Sequence, residues 1–171
     1  CEHITGSNGV FSAASSAFRI GVGAGNIRHI RISDITLYRA GVGLHFMPTI
    51  HGSGCIDIED VNFSNVSAVN VGYPMLIGGE AGAVRDVTLD NIRMKAFCES
   101  RIEAQGSCVV DGLTLRDVEI LLCDEHRELT AKRLQQRGKV ALHTENVGRI
   151  CTERFCIRME ESIAPTWNAL Y

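Results

Sequence analysis

The sequence has few of the features that mark membrane and nucleic-acid-binding proteins. No apolar run approaches the roughly 18 residues that a membrane-spanning helix needs. Lysine and arginine total 17 against 20 acidic residues, and the resulting net charge of −3 provides no basic excess. Nucleic acids and anionic membrane surfaces both require such an excess. We therefore expect neither a nucleic-acid nor a membrane partner.

The seven cysteines include no Cys-x-x-Cys pair, which argues against a zinc site. We expect mostly free, buried thiols, with a local Cys151–Cys156 disulfide as the alternative. Cys55 and Cys108 fall just before or within apolar segments, where a free cysteine acts as a small buried residue. No motif indicates a metal or a cofactor, and we predict none.

What the sequence does contain is a repeated eight-residue pattern, apolar-x-apolar-x-(Asp/Asn)-apolar-x-apolar. Copies of the pattern begin at Ile4, Ile30, Ile56, Val87 and Leu113. These starts are separated by 26, 26, 31 and 26 residues. The copy at Ile4 is weak, and a further, blurred copy follows from Leu142. A period in the twenties is typical of a solenoid, in which one repeat buries its apolar face only against a neighbour. The alternation of apolar and polar residues has the period of a β-strand.

These observations predict an all-β fold, a right-handed parallel β-helix of about five to six coils. Leucine-rich repeats share the period but need a regular leucine pattern, whereas these columns mix Ile, Val, Phe and Met. In a β-helix, equivalent residues of adjacent coils lie about 4.8 Å apart and form ladders. The five starting residues above should therefore form one inner apolar ladder.

The polar position of the pattern should form a second ladder, made of Asn8, Asp34, Asp60, Asn91 and Asp117. Asn and Asp satisfy a bent backbone with their own side chains and tolerate unusual φ and ψ angles. Since this column recurs in every coil, we interpret it as a structural turn ladder and not as a catalytic site.

A second strand precedes each copy, at 18–21, 44–46, 75–78 and 101–104. Phe18 and Leu44 share the repeat spacing, and if both point inward, Arg19 and His45 point outward on neighbouring coils. Leu76 should follow on the next coil, with Arg101 or Glu103 beyond it. The sequence thus predicts an exposed stripe that carries a guanidinium beside an imidazole.

We interpret residues 1–171 as one β-helix segment. The charged stretch 124–138 is predicted to be a short helical or loop excursion, and 139–171 a last coil and closing segment. Because the chain enters in the middle of a repeat without a cap, we expect it to be the C-terminal part of a longer protein.

The segments 4–8, 16–21, 25–34, 74–79 and 84–92 resemble the polygalacturonase-like proteins of glycoside hydrolase family 28. The resemblance covers about residues 1–120 and implies the pectin-lyase-like right-handed β-helix. It also implies inverting hydrolysis of pectic or related polysaccharides, with a polysaccharide or oligosaccharide as the partner.

Inverting hydrolysis needs two carboxylic acids, spaced to admit a water molecule. In the family they come from an Asp motif and an Asp-Asp pair on earlier coils, so the resemblance places them upstream of Cys1. We predict no catalytic residue in this segment. Glu80, Glu99 and Glu103 are expected to be isolated surface acids, and Asp57 an exposed strand position.

The resemblance is incomplete at two substrate-contacting motifs. The family's Gly-His-Gly-Ile-Ser-Ile-Gly motif aligns with 15–21, which puts Ser16 in place of the histidine. Its Arg-Ile-Lys motif aligns with 45–47, where neither cation is retained. A guanidinium suits a carboxylate or sugar hydroxyls, so we predict Arg19, His45 and the weaker candidate His51 as substrate contacts.

Two rival functions stay open. One is a non-catalytic polysaccharide-binding β-helix, of the adhesin or phage-spike type, with the same outward stripe. The other is a pectate lyase, which needs a calcium-binding carboxylate cluster that the sequence does not show.

Overall fold

The computed structural model describes residues 1–23, 25–50, 54–123 and 141–160. Within these ranges the chain forms β-strands and no helix, and the strands join in one sheet. The strands are β1 (Glu2–Gly21), β2 (Gly25–Met47), β3 (Ile56–Gly79), β4 (Ala83–Ala96), β5 (Ser100–Ala104), β6 (Val109–Leu122), β7 (Leu142–Glu145), β8 (Ile150–Glu153) and β9 (Cys156–Met159). The predicted excursion at 124–138 and residues 161–171 of the closing segment lie outside the described residues.

Every pair of named strands is parallel, which confirms the parallel β-helix. The main ladder runs β1-β2-β3-β4-β6-β8, while β5 pairs with β3 and β7, and β9 pairs with β6. In the described ranges, the search for a helix long and apolar enough to cross a membrane finds none.

The long strands bend at residues with a positive φ angle, so one strand can follow the corner of a coil. One column of these corners contains Asn8, Asp34, Asn65, Asn91 and Asp117, with φ between 52° and 57°. This is the left-handed region, which Asn and Asp visit more readily than other residues with a Cβ. The predicted turn ladder is therefore confirmed, except that Asn65 takes the place of Asp60.

The prediction was wrong in register at the third coil. Ile30 pairs with Val61, and Ile56 lies opposite Gly25. The inner ladder is therefore Ile4, Ile30, Val61, Val87, Leu113 and Ile150. The longer interval of 31 residues falls between Ile30 and Val61, one coil earlier than expected.

The error has a cause in β3 itself, where the pattern repeats every five residues. Ile56, Val61 and Val66 each begin an apolar-x-apolar sequence that ends in Asp or Asn. Asp60, with φ of 51°, belongs to an earlier corner column together with His3, His29 and Asp86. Both registers bury apolar residues, so the hydrophobic pattern alone cannot choose between them.

The last coil also differs from the prediction. Residues Leu142–Glu145 do not continue the eight-residue pattern, because they pair with β5 in the column of second strands. The pattern continues at Ile150, which pairs with Leu113, and in Ile157, which pairs with Ile120.

The core lies inside the coils. Leu37, Phe63, Leu89 and Leu115 are at most 1% exposed, whereas Ile4 on the first coil is 41% exposed. Aromatic rings link the first coils through edge-to-face contacts, with centroid distances of 5.1 Å for Phe18–Phe63 and 5.9 Å for Phe46–Phe63. Stacked aliphatic and aromatic ladders thus supply the hydrophobic stabilisation of the solenoid.

All seven cysteines are free, so the alternative Cys151–Cys156 disulfide does not form. The expectation of mostly buried thiols was wrong: Cys98 and Cys123 are buried, but Cys1 and Cys151 are exposed and Cys156 is partly buried. Cys55 is likewise exposed and Cys108 is partly buried, because both lie where a strand begins and not within its inward face.

Amide hydrogen bonds connect the corner residues from coil to coil. Asn65 Nδ2 donates to Asp34 Oδ1, and Asn91 Nδ2 donates to Asn65 Oδ1, each at 2.9 Å. We predict that Asn65→Ala lowers the free energy of unfolding by about 2–3 kcal/mol, since it removes both bonds and places alanine in the left-handed region. Chemical denaturation monitored by circular dichroism measures this loss.

Two further variants separate the loss of the hydrogen bonds from the strain of a positive φ angle. Asn65→Gly loses the bonds but tolerates the φ angle, so it should be about 1 kcal/mol less destabilised than Asn65→Ala. Asn62→Ala, in the same strand but outside the positive-φ column, should stay within about 0.5 kcal/mol of the parent. Equal stability of all three variants would contradict a stabilising role for the corner ladder.

Candidate functional site

The parallel register assembles an outward row of side chains that we call the outward stripe: Arg19, His45, Leu76, Arg101 and His143. Arg19 pairs with His45, His45 with Leu76, Leu76 with Arg101, and Arg101 with His143. Neighbouring members are therefore one strand spacing apart, about 4.8 Å. The predicted positions of Arg19 and His45 on adjacent coils are confirmed.

Two residues later, Gly21 pairs with Met47, Gly78 pairs with Glu103, and Glu103 pairs with Glu145; Met47 and Gly78 line the same cleft. Gly78 has a φ of 116°, and a Cβ at this position would lie 1.9 Å from the carbonyl oxygen of Glu103. Only glycine fits such an approach of one coil to the next. The site therefore has a bare backbone floor between the side chains of Met47 and Glu103.

His45 is half-buried within the outward stripe. Its Nδ1 lies 2.9 Å from Ser16 Oγ, and either tautomer of the ring allows a hydrogen bond there. Burial, and secondarily the positive charge of Arg19, lower the pKa of His45 to about 4. The imidazole is therefore neutral at pH 7, and its second nitrogen can serve a ligand as a donor or an acceptor according to the tautomer.

Arg101 is held in place by a buried acid. Its Nε and Nη2 both donate to Glu99 Oε1, at 2.8 Å and 2.5 Å. The Glu99 side chain is 1% exposed and that of Arg101 is 40% exposed, so the pair joins the interior to the surface. Partial burial is the largest single influence on the pKa of Arg101 and lowers it, but the hydrogen bond to Glu99 and the nearby negative charges together outweigh burial and raise the pKa of the guanidinium.

Glu99 is thus not the isolated surface acid that the sequence suggested. An ionised carboxylate is buried in proteins when a partner compensates its charge, and Arg101 is that partner. The guanidinium also lies over the ring of Tyr73, with its carbon 5.9 Å from the centroid. Burial is the main cause that raises the pKa of Tyr73 to about 12, so this ring remains a neutral platform.

Glu103 is the acid nearest to the exposed side of Arg101. Its carboxylate lies 3.8 Å from Arg101 Nη1 and 3.7 Å from His143 Nε2, and it accepts a 3.4 Å bond from the Gln105 amide. Its side chain is 22% exposed, so Glu103 is also not an isolated surface acid. Asp57, in contrast, is exposed as expected and lies 3.8 Å from Arg85.

Two adjoining clefts open on this face. The Arg101 cleft encloses about 230 Å³ and is lined by His45, Leu76, Ile77, Gly78, Gly79, Arg101, Glu103 and Gln105. The Glu80 cleft encloses about 420 Å³ and is lined by His45, Met47, Thr49, Ile50, Gly78, Gly79 and Glu80. They share His45 and the two glycines, so one extended ligand could occupy both.

Of the predicted substrate contacts, His45 lines both clefts. Arg19 lies beside it as the exposed first member of the stripe. His51 lies outside the described residues. Sequence reasoning missed the roles of Glu99 and Gln105. It placed Arg101 or Glu103 beyond Leu76 but did not pair them, although residues 101 and 103 of β5 lie on the same side of the strand.

The arrangement offers hydrogen bonding and charge to a ligand. Among the described ranges, no group of three or more His, Cys, Asp or Glu side chains is arranged to hold a metal ion.

Comparisons with known proteins do not assign the chain to a family: no family model, no curated protein and no solved structure matches it.

The low pKa of His45 predicts a specific pH dependence. Because its folded pKa of about 4 lies below the ordinary value of 6.5, the unfolded state binds the proton more readily between these values. This contribution to stability is complete above about pH 6.5 and is lost as the pH falls towards 4. NMR titration of the ring should give the pKa directly, and denaturation at several pH values should show the loss.

Matched variants test the assignment. His45→Gln should remove this part of the pH dependence, whereas His143→Gln, in the same stripe three coils away, leaves the surroundings of His45 unchanged and should not. Arg19→Gln should raise the pKa of His45 only part of the way to 6.5, since burial remains. A His45 ring that titrates near 6.5 in the parent protein would contradict the described environment.

Proposed function

We propose that this chain is the saccharide-binding part of a carbohydrate-active β-helix that acts on pectic or related polysaccharides by inverting hydrolysis. The observation that carries the proposal is the outward stripe, which places Arg19, His45 and Arg101 on one face of successive coils. A polysaccharide is itself a linear repeat, and a stripe along the solenoid can contact its successive sugar units.

The chemistry of the face supports a saccharide ligand. Sugar hydroxyls both donate and accept hydrogen bonds, and the clefts offer a guanidinium, a carboxylate, an amide and a neutral imidazole. Leu76 provides an apolar contact for the C–H face of a sugar ring. The glycine floor at Gly78 and Gly79 lets a ring approach the backbone closely.

One contact also parallels the family that the sequence resembles. Ser16 takes the position of that family's histidine, and His45 of the next coil brings its Nδ1 to 2.9 Å from Ser16 Oγ. An imidazole is therefore present near this position, although it comes from a different strand. This supports a substrate-facing role for His45.

The described acids support binding better than catalysis. Glu99 is committed to Arg101, and Glu103 is engaged by Arg101, Gln105 and His143. Inverting hydrolysis instead needs one acid that is free to protonate the leaving group and another that is free to activate a water. The hydrolytic part of the proposal therefore depends on the family resemblance, and a non-catalytic polysaccharide-binding β-helix is its rival.

Calorimetric titration with oligogalacturonides and rhamnogalacturonan fragments tests saccharide binding. We expect measurable binding, which Arg19→Ala weakens by about 1–3 kcal/mol because a charged hydrogen bond is lost. His45→Gln should also weaken binding, with unchanged stability at pH 7 as the check on folding.

The control is Arg28→Ala, which removes an exposed arginine that pairs with Glu2 at 2.8 Å in a different column of the solenoid. Its affinity should equal that of the parent. If a well-folded parent binds none of the fragments, the saccharide-binding function is wrong. If Arg28→Ala weakens binding as much as Arg19→Ala, the stripe is not the binding face.

We further predict that this chain alone binds saccharides without cleaving them, since Glu99 and Glu103 at the Arg101 cleft are engaged in ion pairs and hydrogen bonds. A reducing-end assay with the same fragments should show no release above the uncatalysed rate. A measurable rate that is abolished by Glu80→Gln or Asp57→Asn would overturn this prediction and assign catalysis to the chain itself.

A further inference from the structure

The Arg101 cleft contains the guanidinium of Arg101, but it carries no net positive charge. Nε and Nη2 of Arg101 donate to Glu99, and Nη1 lies 3.8 Å from Glu103. Two carboxylates therefore share one guanidinium, and the formal charge of this trio is −1. His45 adds no positive charge at pH 7, because burial and Arg19 keep its pKa near 4.

Further carboxylates lie around the Arg101 cleft. Glu145 lies in register with Glu103 on the next coil, and both carboxylates are 3.7 Å from His143 Nε2. Glu80 lines the adjoining cleft on the other side of the glycine floor. A ligand carboxylate entering the Arg101 cleft would meet a guanidinium that is already compensated, with the carboxylate of Glu103 beside it.

We infer that the Arg101 cleft binds a neutral sugar unit and discriminates against a uronate. The inference rests on the proposed saccharide-binding function and names the class of sugar that this part of the face accepts. Glu103 accepts hydrogen bonds from sugar hydroxyls, and Glu99 is a positioning residue that fixes Arg101 as a hydroxyl donor. Gln105 contributes an amide, and Leu76 contacts the apolar side of the ring.

Arg19 forms a separate site on the same face, and this site can accept a carboxylate. It is exposed and lies three coils from Arg101 along the stripe, about 14 Å at one strand spacing per coil. A carboxylate near Arg19 is thus compatible with a neutral unit in the Arg101 cleft. A polymer that alternates acidic and neutral residues could satisfy both sites at once.

The test compares rhamnogalacturonan fragments and oligogalacturonides with their carboxyl-reduced counterparts, in which each uronate becomes a neutral sugar. Titrations are performed at low salt in the Arg19→Gln background, so that the distant guanidinium cannot favour a carboxylate. We expect the reduced form of a given fragment to bind about tenfold more tightly than the acid form. Raising the salt concentration should reduce this difference in affinity between the reduced and acid forms, because exposed charges are screened.

Adding Glu103→Gln to this background removes one negative charge and retains the shape of the side chain. We expect the acid form to bind more tightly than before, so that the preference for the reduced form falls to about threefold or less. The matched control is Glu59→Gln, which changes an exposed glutamate in the column of Arg28 and Arg85. It should leave the ratio unchanged.

The outcomes separate the two proposals. Acid forms that bind as tightly as the reduced forms, or a ratio that Glu103→Gln does not change, would overturn the neutral-sugar inference and leave saccharide binding standing. Failure of the protein with Arg19 intact to bind any acid or reduced fragment would overturn both.

Discussion

The structure depends on a backbone conformation that few side chains accept. Each coil turns at residues with φ near 50–57°, and the column Asn8, Asp34, Asn65, Asn91 and Asp117 repeats that turn at the same place in successive coils. If one corner were displaced, the strand after it would shift against its neighbour. Because side chains alternate between the two faces of a strand, a shift by one residue would exchange interior and exterior.

The candidate site is a consequence of this register. Arg19, His45, Leu76 and Arg101 are far apart in sequence, yet the ladder places each beside the next. β2 buries Phe46 and directs His45 outward, and β3 does the same with Ile77 and Leu76, so one alternation specifies both the apolar core and the polar face. The strands that stabilise the solenoid therefore also form the ligand face. The buried ion pair of Glu99 and Arg101 is the one feature added to them.

That ion pair shows which part of the site the sequence could not reveal. The repeat spacing of Phe18 and Leu44 was enough to place Arg19 beside His45, since an intact ladder needs only the period and the alternation. Glu99 carries no such signal, because its burial depends on how the residues after β4 pack and on Arg101 two positions later. The third coil was misplaced for another reason: Ile56 and Val61 begin equivalent five-residue units, and only long-range pairing with β2 selects Val61.

The central claim is that the register brings the outward stripe together, and interstrand nuclear Overhauser effects test it directly. Amide and Hα protons of parallel partners lie close enough to give cross-peaks across adjacent strands. The structure predicts such contacts between the backbone of His45 and Leu76, and between that of Leu76 and Arg101. Contacts that instead join His45 to Ile77, or Leu76 to Ile102, would mean a one-residue slip that turns the stripe inward, and they would contradict the account.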